Sequence, residues 1–378
     1  MNVLIVVDSF KGTFSSARAA AFLKEGVLEA FPETSVRVIP VSDGGEGFLD
    51  ALAFSGSFEK CVCPACDALM RPVIRPFLTD GKGTACFETA VTCGLADLSG
   101  FERNPLKTTT FGLGMQIRKA AENNDTARFI VGLGGSGTHD CGMGALQALG
   151  VSFFDRSGRR IPDGAGGEML EHINRAEFDG VPECIRNAKF VLATDVRNLL
   201  TGETGAARVF APQKGADAQA VEKLEEGTRI FADVLSRSCG KDLLKTEGGG
   251  AAGGLAAGLS IFDGARIVSG ADVVLESAGF EALLRLKPDG VITGEGRADA
   301  QTLFGKLPAK IAAAAKKYGV PVCLVCGTVG EGAENLLHCG VSKILSLFRK
   351  GLSLDLMKRE TPEALKRAGK DACLLFLR

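Results

Sequence analysis

Seven short apolar runs rich in β-branched residues recur along the chain, at 3–7, 36–41, 129–131, 190–193, 291–293, 322–325 and 343–347, and most end in Gly, Asp or Glu. Continuous apolar runs of this length, unlike alternating ones, suit parallel strands buried on both faces. Helical patterns lie between them. Ser15 and Ser16 can cap a helix that Pro32 stops, and Val221, Leu224, Phe231 and Leu235 share one helical face. Pro308 starts a third helix closed by Gly319, and Thr361-Pro362-Glu363 opens the last. Strands alternating with helices make an α/β fold with a mostly parallel sheet. Residues 54–89 break that rhythm: turn signals at 55–57 and 80–83 separate strand-like runs 58–63, 73–78 and 84–88 with no helix between them. These read as antiparallel strands of a second, mixed domain inserted into the first.

At 378 residues the chain is long enough for two or three domains. Lys plus Arg number 44 against 45 Asp plus Glu, which argues against a nucleic-acid footprint and a polybasic membrane patch. No apolar stretch approaches the roughly 20 residues of a membrane span, and the first apolar run stops too early for a signal peptide. The expected setting is cytoplasmic. Twelve cysteines there read as reduced thiols. Cys61-x-Cys63-x-x-Cys66 and Cys323-x-x-Cys326 have metal-like spacing, but the second pair sits inside an apolar run where a thiol packs as a small hydrophobe. Forty-nine glycines without a triplet period point to glycine-rich loops.

In an open α/β sheet, ligands bind beyond the carboxyl ends of the strands. The segments that follow the predicted strands are Asp8-Ser9-Phe10-Lys11-Gly12, then Ser42-Asp43-Gly44-Gly45-Glu46-Gly47, and Gly132-Leu133-Gly134-Gly135-Ser136-Gly137-Thr138-His139-Asp140. Two more are Thr194-Asp195 and Gly294-Glu295-Gly296-Arg297-Ala298-Asp299. Each carries a carboxylate, and most carry glycines whose amides can close around phosphate oxygens. Carboxylates can hold Mg²⁺ against nucleotide phosphates, Lys or Arg can neutralise the transferring group, and one Asp can accept a hydroxyl proton. Asp8, Lys11, Asp195, Arg297, Asp299 and Lys306 are the right types for phosphoryl transfer. The Gly-Lys pairs at 81–82, 240–241, 305–306 and 369–370 all lack a following Ser or Thr, so a P-loop is disfavoured. A rival reading is a dinucleotide fingerprint, Gly132-x-Gly134-x-x-Gly137 with Asp155 as the ribose-binding acid, although Gly142 and Gly144 interrupt the helix it needs. His139, His172 and His338 show no metal-ligand spacing. His139 either touches a ligand or is a solvated loop residue.

These segments, together with Gln213-Lys214-Gly215-Ala216, Gly249-Gly250-Ala251-Ala252-Gly253-Gly254 and Ile292-Thr293-Gly294-Glu295-Gly296-Arg297, resemble the type-1 glycerate kinases over nearly the whole chain. The resemblance implies a Rossmann-like, mostly parallel sheet domain (1–53 and 285–378) interrupted by a second, mixed α/β domain (54–284). It implies phosphorylation of D-glycerate by ATP with Mg²⁺, most often to 2-phosphoglycerate. The catalytic set would be Asp195 as base with Lys11, Asp299 and Lys306. Asp8, Ser9, Asp43, Gly44, Gly45, Glu46, Gly134, Gly135, Ser136, Gly137, Thr138 and Asp140 would bind substrate or phosphate, as would Gln213, Lys214, Gly294, Glu295 and Arg297. Asp8 and Asp299 would hold the metal. The chain departs from the family pattern at Ser136-Gly137-Thr138-His139-Asp140-Cys141-Gly142, at Arg197 where an acid is usual, and at Glu247 where a proline is usual. A non-catalytic metabolite sensor of the same fold and an NAD-dependent oxidoreductase are the alternatives. A homo-oligomer stays open.

Overall fold

The computed structural model describes residues 1–10, 14–122, 126–303, 305–348 and 354–377. Its first strands in chain order are β1 (Asn2–Val7), β2 (Ser35–Pro40), β3 (Glu59–Cys66), β4 (Pro72–Thr79), β5 (Thr84–Glu88) and β6 (Arg128–Gly132). β7 (Ser152–Phe154), β8 (Arg175–Glu177), β9 (Lys189–Ala193) and β10 (Arg266–Val268) follow. β11 (Gly290–Ala298), β12 (Val322–Val329) and β13 (Val341–Ser346) complete them. The chain divides into two units, Met1–Ser42 with Asp50–Ser55 and Ala271–Arg378, and Asp43–Leu49 with Gly56–Gly270. Residues 43–49 thus fall with the second unit and residues 271–284 with the first.

The first unit is built on a five-stranded sheet, ordered β13-β12-β11-β1-β2, in which every neighbouring pair is parallel. β1 is buried from Val3 to Val7, as a run apolar on both faces requires. On one face, Ala19, Ala20, Leu23 and Val27 of the helix Ser16–Ala30 meet Leu365, Ala368, Ala372 and Cys373 of the helix Leu354–Phe376. Ser15 caps the first of these through the Arg18 amide. The last helix corrects an expectation: it does not open at Thr361-Pro362-Glu363 but carries Pro362 inside it. An internal proline costs about 3 kcal/mol. Burial of a Leu side chain alone contributes about 1.5–3 kcal/mol, so the packed face of this helix outweighs the break.

β11 is also longer than its apolar run. Gly294, Glu295 and Arg297, expected in a loop, pair with Val325, Cys326 and Thr328 of β12. Backbone pairing continues because β12 itself runs on to Val329.

The second unit holds a six-stranded sheet ordered β10-β9-β6-β5-β4-β3. β10, β9, β6 and β5 run parallel, while β4 and β3 add antiparallel at the edge, as residues 54–89 suggested. The fold is therefore α/β, with one parallel and one mixed main sheet and a small antiparallel pair, β7-β8. A row of rings, Phe77, Phe87, Phe129 and Phe190, crosses the mixed sheet with successive centroids 5.6, 6.3 and 5.2 Å apart, and Phe262, outside the strands, stacks on the last at 4.7 Å. Such cross-strand aromatic neighbours add about 0.2–1 kcal/mol each to the pairing. Among the described residues no helix is long and apolar enough to cross a membrane.

Candidate active site

In the second unit two glycine-rich segments lie backbone against backbone. The Gly134 amide donates to the Gly44 carbonyl at 2.8 Å, and a Cβ on Gly134 would stand 2.3 Å from the Gly45 Cα. No other residue type fits there. Asp43 Oδ1 accepts from the Gly45 amide at 3.1 Å, and buried Glu88 accepts from the amides of Gly47 and Leu49 at 3.1 and 2.9 Å. Glu46 is exposed.

The segment after β6 is fastened from both sides. Its Gly135 carbonyl accepts from Leu95, and its Gly137 amide donates to the Cys93 carbonyl. Between them, the amides of Gly135 and Ser136 have no acceptor among the described residues. Gly135 adopts φ +72°, and successive amides in a turn of this kind can hold an anionic oxygen.

Beneath the loop lies a buried polar cluster. Lys214 donates from Nζ to Ser136 Oγ at 2.8 Å and to the Thr138 carbonyl at 2.7 Å. Burial of its ammonium brings its pKa down to about 8. Asp140 is fully buried and accepts from the Thr110 amide and hydroxyl, the Thr109 hydroxyl, and the amides of Gly142 and Gly144. Burial pushes its pKa up while those hydrogen bonds oppose the shift. All five donors belong to the protein, and the last two open the helix Met143–Ala148. His139 is fully buried as well, with Nε2 3.0 Å from Thr228 Oγ1, so it is not a solvated loop residue. Burial lowers its pKa to about 3, which keeps it neutral. Gln213 is exposed.

Because the folded-state pKa of Lys214 lies below its ordinary 10.5, the folded chain sheds this proton first. Between about pH 8 and 10.5 the unfolded chain therefore binds more protons, and the contribution of Lys214 to stability rises with pH. Urea unfolding across that window should show the wild type gaining stability relative to Lys214→Met. A constant difference would mean the ammonium is not desolvated.

Asp195 follows β9 on an exposed turn. The turn is fixed by the Thr194 amide on the Val268 carbonyl and by the Val196 amide on Thr194 Oγ1. The two departures Arg197 and Glu247 face each other at 3.8 Å, both well exposed. The amides of Gly248 and Gly250 donate to the carbonyls of Arg197 and Asn198, stitching the second glycine-rich segment to this turn.

In the first unit, charged groups gather at the carboxyl ends of β1 and β11. Asp8 is half-buried, its amide on the Gly294 carbonyl and its Oδ1 accepting from the Ser9 amide. Glu295 is buried, accepts from Thr302 Oγ1 at 2.7 Å, and lies 3.8 Å from Lys306 Nζ. Burial pushes its pKa up, Thr302 and Lys306 pull it down, and the charges of Asp299 and Asp8 push it up further. Asp299 pairs with exposed Arg297 at 3.2 Å and accepts from the Gln301 amide. Lys306 precedes the helix Leu307–Lys316 as its N-cap. Lys11 lies outside the described residues. Thr302, which joins Glu295 to the Asp299 amide, was not singled out from sequence. Its signal is the Asp-x-x-Thr spacing of a side-chain-stabilised turn.

The dinucleotide reading fails. The helix after Gly137 begins only at Met143, and Asp155 turns back on the Ser157 and Arg159 amides and side chains. β7, which precedes it, pairs antiparallel with β8 in a sheet of its own, so no βαβ unit forms around the fingerprint. Cys323 and Cys326 are free and buried, with burial pushing both thiols up to about 12. Among the described residues no three His, Cys, Asp or Glu side chains are grouped to hold a metal.

Comparison with known proteins decides between the remaining readings. Residues 3–377 match the profile of the Glycerate kinase family. The chain belongs to that family. It is 37% identical to a glycerate kinase of Bacillus subtilis (strain 168), over 98% of this chain and 96% of that one. It is 33% identical to a glycerate 2-kinase of Escherichia coli (strain K12), over 98% and 97%. A solved structure from Salmonella typhimurium LT2, described as a glycerate kinase 2, superposes with a TM-score of 0.84 at 32% identity, over 99% of this chain and 98% of that chain. The protein is thus a kinase, and neither the sensor nor the oxidoreductase reading is retained.

Proposed function

We propose that this kinase transfers the γ-phosphoryl group of ATP to D-glycerate, in the presence of Mg²⁺, to give 2-phosphoglycerate in the cytoplasm. The observation that carries the proposal is the full-length match to proteins named glycerate kinase, one of them a glycerate 2-kinase. The acid-and-lysine cluster at the ends of β1 and β11 supports it, because phosphoryl transfer needs positioned charge rather than a covalent step.

In this reading Asp195 orients the attacking hydroxyl and accepts its proton. The Gly135 and Ser136 amides hold an anionic oxygen of nucleotide or glycerate. Lys306 and Lys11 offset negative charge on the transferring group, with Arg297 and Ser9 lending polar contacts. Asp43, Gly44, Gly45 and Gly134 shape the backbone around the ligand. Gly294 takes the Asp8 amide on its carbonyl, and Glu295 stands next to it at the carboxyl end of β11. Asp8 and Asp299 fit Mg²⁺, since this ion takes one or two carboxylates and completes its shell with water and phosphate. Mg²⁺ would supply neutralisation of the charge developing on the phosphates. Asp140 and Thr138, turned inward, serve the loop's shape.

The loop reading has its own test. Gly135 adopts φ +72°, and a Cβ there would meet Ala90 Cβ at 2.8 Å. Gly135→Val should raise KM for ATP or glycerate about tenfold or more, at a cost of about 1–3 kcal/mol in stability. Unchanged kinetics in the folded variant would make the loop a mere turn.

A further inference from the structure

Lys214 is 3% exposed, yet its head group is not idle. It ends the short 3₁₀ segment Pro212–Lys214, and Gly215 follows in the left-handed region at φ +98°. A Cβ on Gly215 would stand 2.1 Å from the Arg103 carbonyl. The Lys-Gly order is therefore what turns the chain at this point and delivers the side chain inward. Burying an ammonium costs several kcal/mol, and a Met of similar shape would avoid that cost. What the ammonium does instead is hold Ser136 Oγ and the Thr138 carbonyl, the two residues that flank the end of the glycine-rich loop. Asp140 supplies the opposing charge, Cys93 lies near as a thiol, and His139 beside it is neutral.

We infer that Lys214 is a positioning residue of this kinase: it pins Ser136 and Thr138 so that the Gly135 and Ser136 amides, which have no protein acceptor among the described residues, stay available to an anionic oxygen. It does so without touching the ligand. The inference rests on the kinase reading above and reassigns Lys214 from ligand contact to loop support. Neither Ser136 nor Thr138 has a second ammonium or guanidinium donor among the described residues that could replace it.

The test uses the full chain and its steady-state kinetics with ATP and D-glycerate, each varied in turn. Lys214→Met removes both hydrogen bonds at nearly constant shape. Hydrogen bonds from a charged group are worth about 1.5–3 kcal/mol, so KM for whichever substrate the loop holds should rise about tenfold or more. The other KM and kcat should stay within about threefold. Lys214→Gln keeps N–H donors on an arm one bond shorter, reaches one acceptor instead of two, and should raise the same KM by a smaller factor of about threefold. Exchange of the Gly137 amide, held on the Cys93 carbonyl, should quicken in both variants. A folded variant of either kind with both KM values within twofold of wild type, or with kcat lost and KM kept, overturns the inference. If Lys214→Met does not fold, Lys214→Gln decides by the same criterion. A wild-type chain that does not phosphorylate D-glycerate at all would instead overturn the kinase reading, and exchange of the Gly137 amide would then test the pin alone.

Discussion

Asp195→Asn is expected to lower kcat by about 10²–10⁴-fold while nucleotide affinity survives. The substitution keeps the size of the side chain and removes its capacity to take a proton. Asp195 stands on an exposed turn at the carboxyl end of β9, in the parallel part of its sheet, where an open α/β fold presents its ligand-binding groups. The Thr194 amide on the Val268 carbonyl and the Val196 amide on the Thr194 hydroxyl fix the backbone on either side. With those two bonds kept, a variant in which only the carboxylate changes should still fold. Steady-state kinetics with circular dichroism as a control would check it. Near-normal kcat in a folded Asp195→Asn would move the base to Asp299, or to Glu295, whose burial-raised pKa suits a proton acceptor.

Removal of divalent metal should act at least as strongly. Treatment with EDTA should reduce turnover about 10³-fold or more, since a metal contributes several kcal/mol of charge stabilisation to a phosphoryl transition state. Added Mg²⁺ or Mn²⁺ should restore it. Chelators that spare Mg²⁺ but remove Zn²⁺ should have no effect, because the acidic groups near β1 and β11 are hard oxygen donors and the buried cysteines remain protonated. Stoichiometric zinc lost together with activity, or full turnover in EDTA, would contradict this.

The strand framework was legible because its signal is strong and local. Runs buried on both faces, such as 3–7 and 190–193, are apolar at every position, and each became a strand. The mixed edge was legible for the same reason, since 54–89 carries turn residues where a crossover helix would otherwise lie. Context decided the rest. Pro362 looked like a helix start, but the buried face from Leu365 to Cys373 extends the helix through it. β11 outran its apolar stretch because a longer partner, β12, offered backbone bonds to glycines and charges alike.

At the candidate site, residue types were readable and orientations were not. A glycine-rich segment has no periodicity to mark which side chains face inward. Nothing in Gly135–Asp140 distinguishes exposed Gly135 from buried Asp140 beforehand, and spacing alone could not reject Gly132-x-Gly134-x-x-Gly137. The inward turn of Lys214 depends on Arg103, more than a hundred residues away, and the pairing of Arg197 with Glu247 joins two loops that sequence reading treated as separate departures.

The central claim is most directly tested by the identity of the product. Purified protein incubated with D-glycerate, ATP and Mg²⁺ should convert glycerate to a single phosphate ester with stoichiometric ADP. Phosphorus and proton NMR should show coupling of the phosphate to the C2 proton, the pattern of 2-phosphoglycerate. Coupling to the C3 methylene protons would contradict the assigned hydroxyl, and ATP turnover without any phosphoglycerate, or none at all, would contradict the account as a whole.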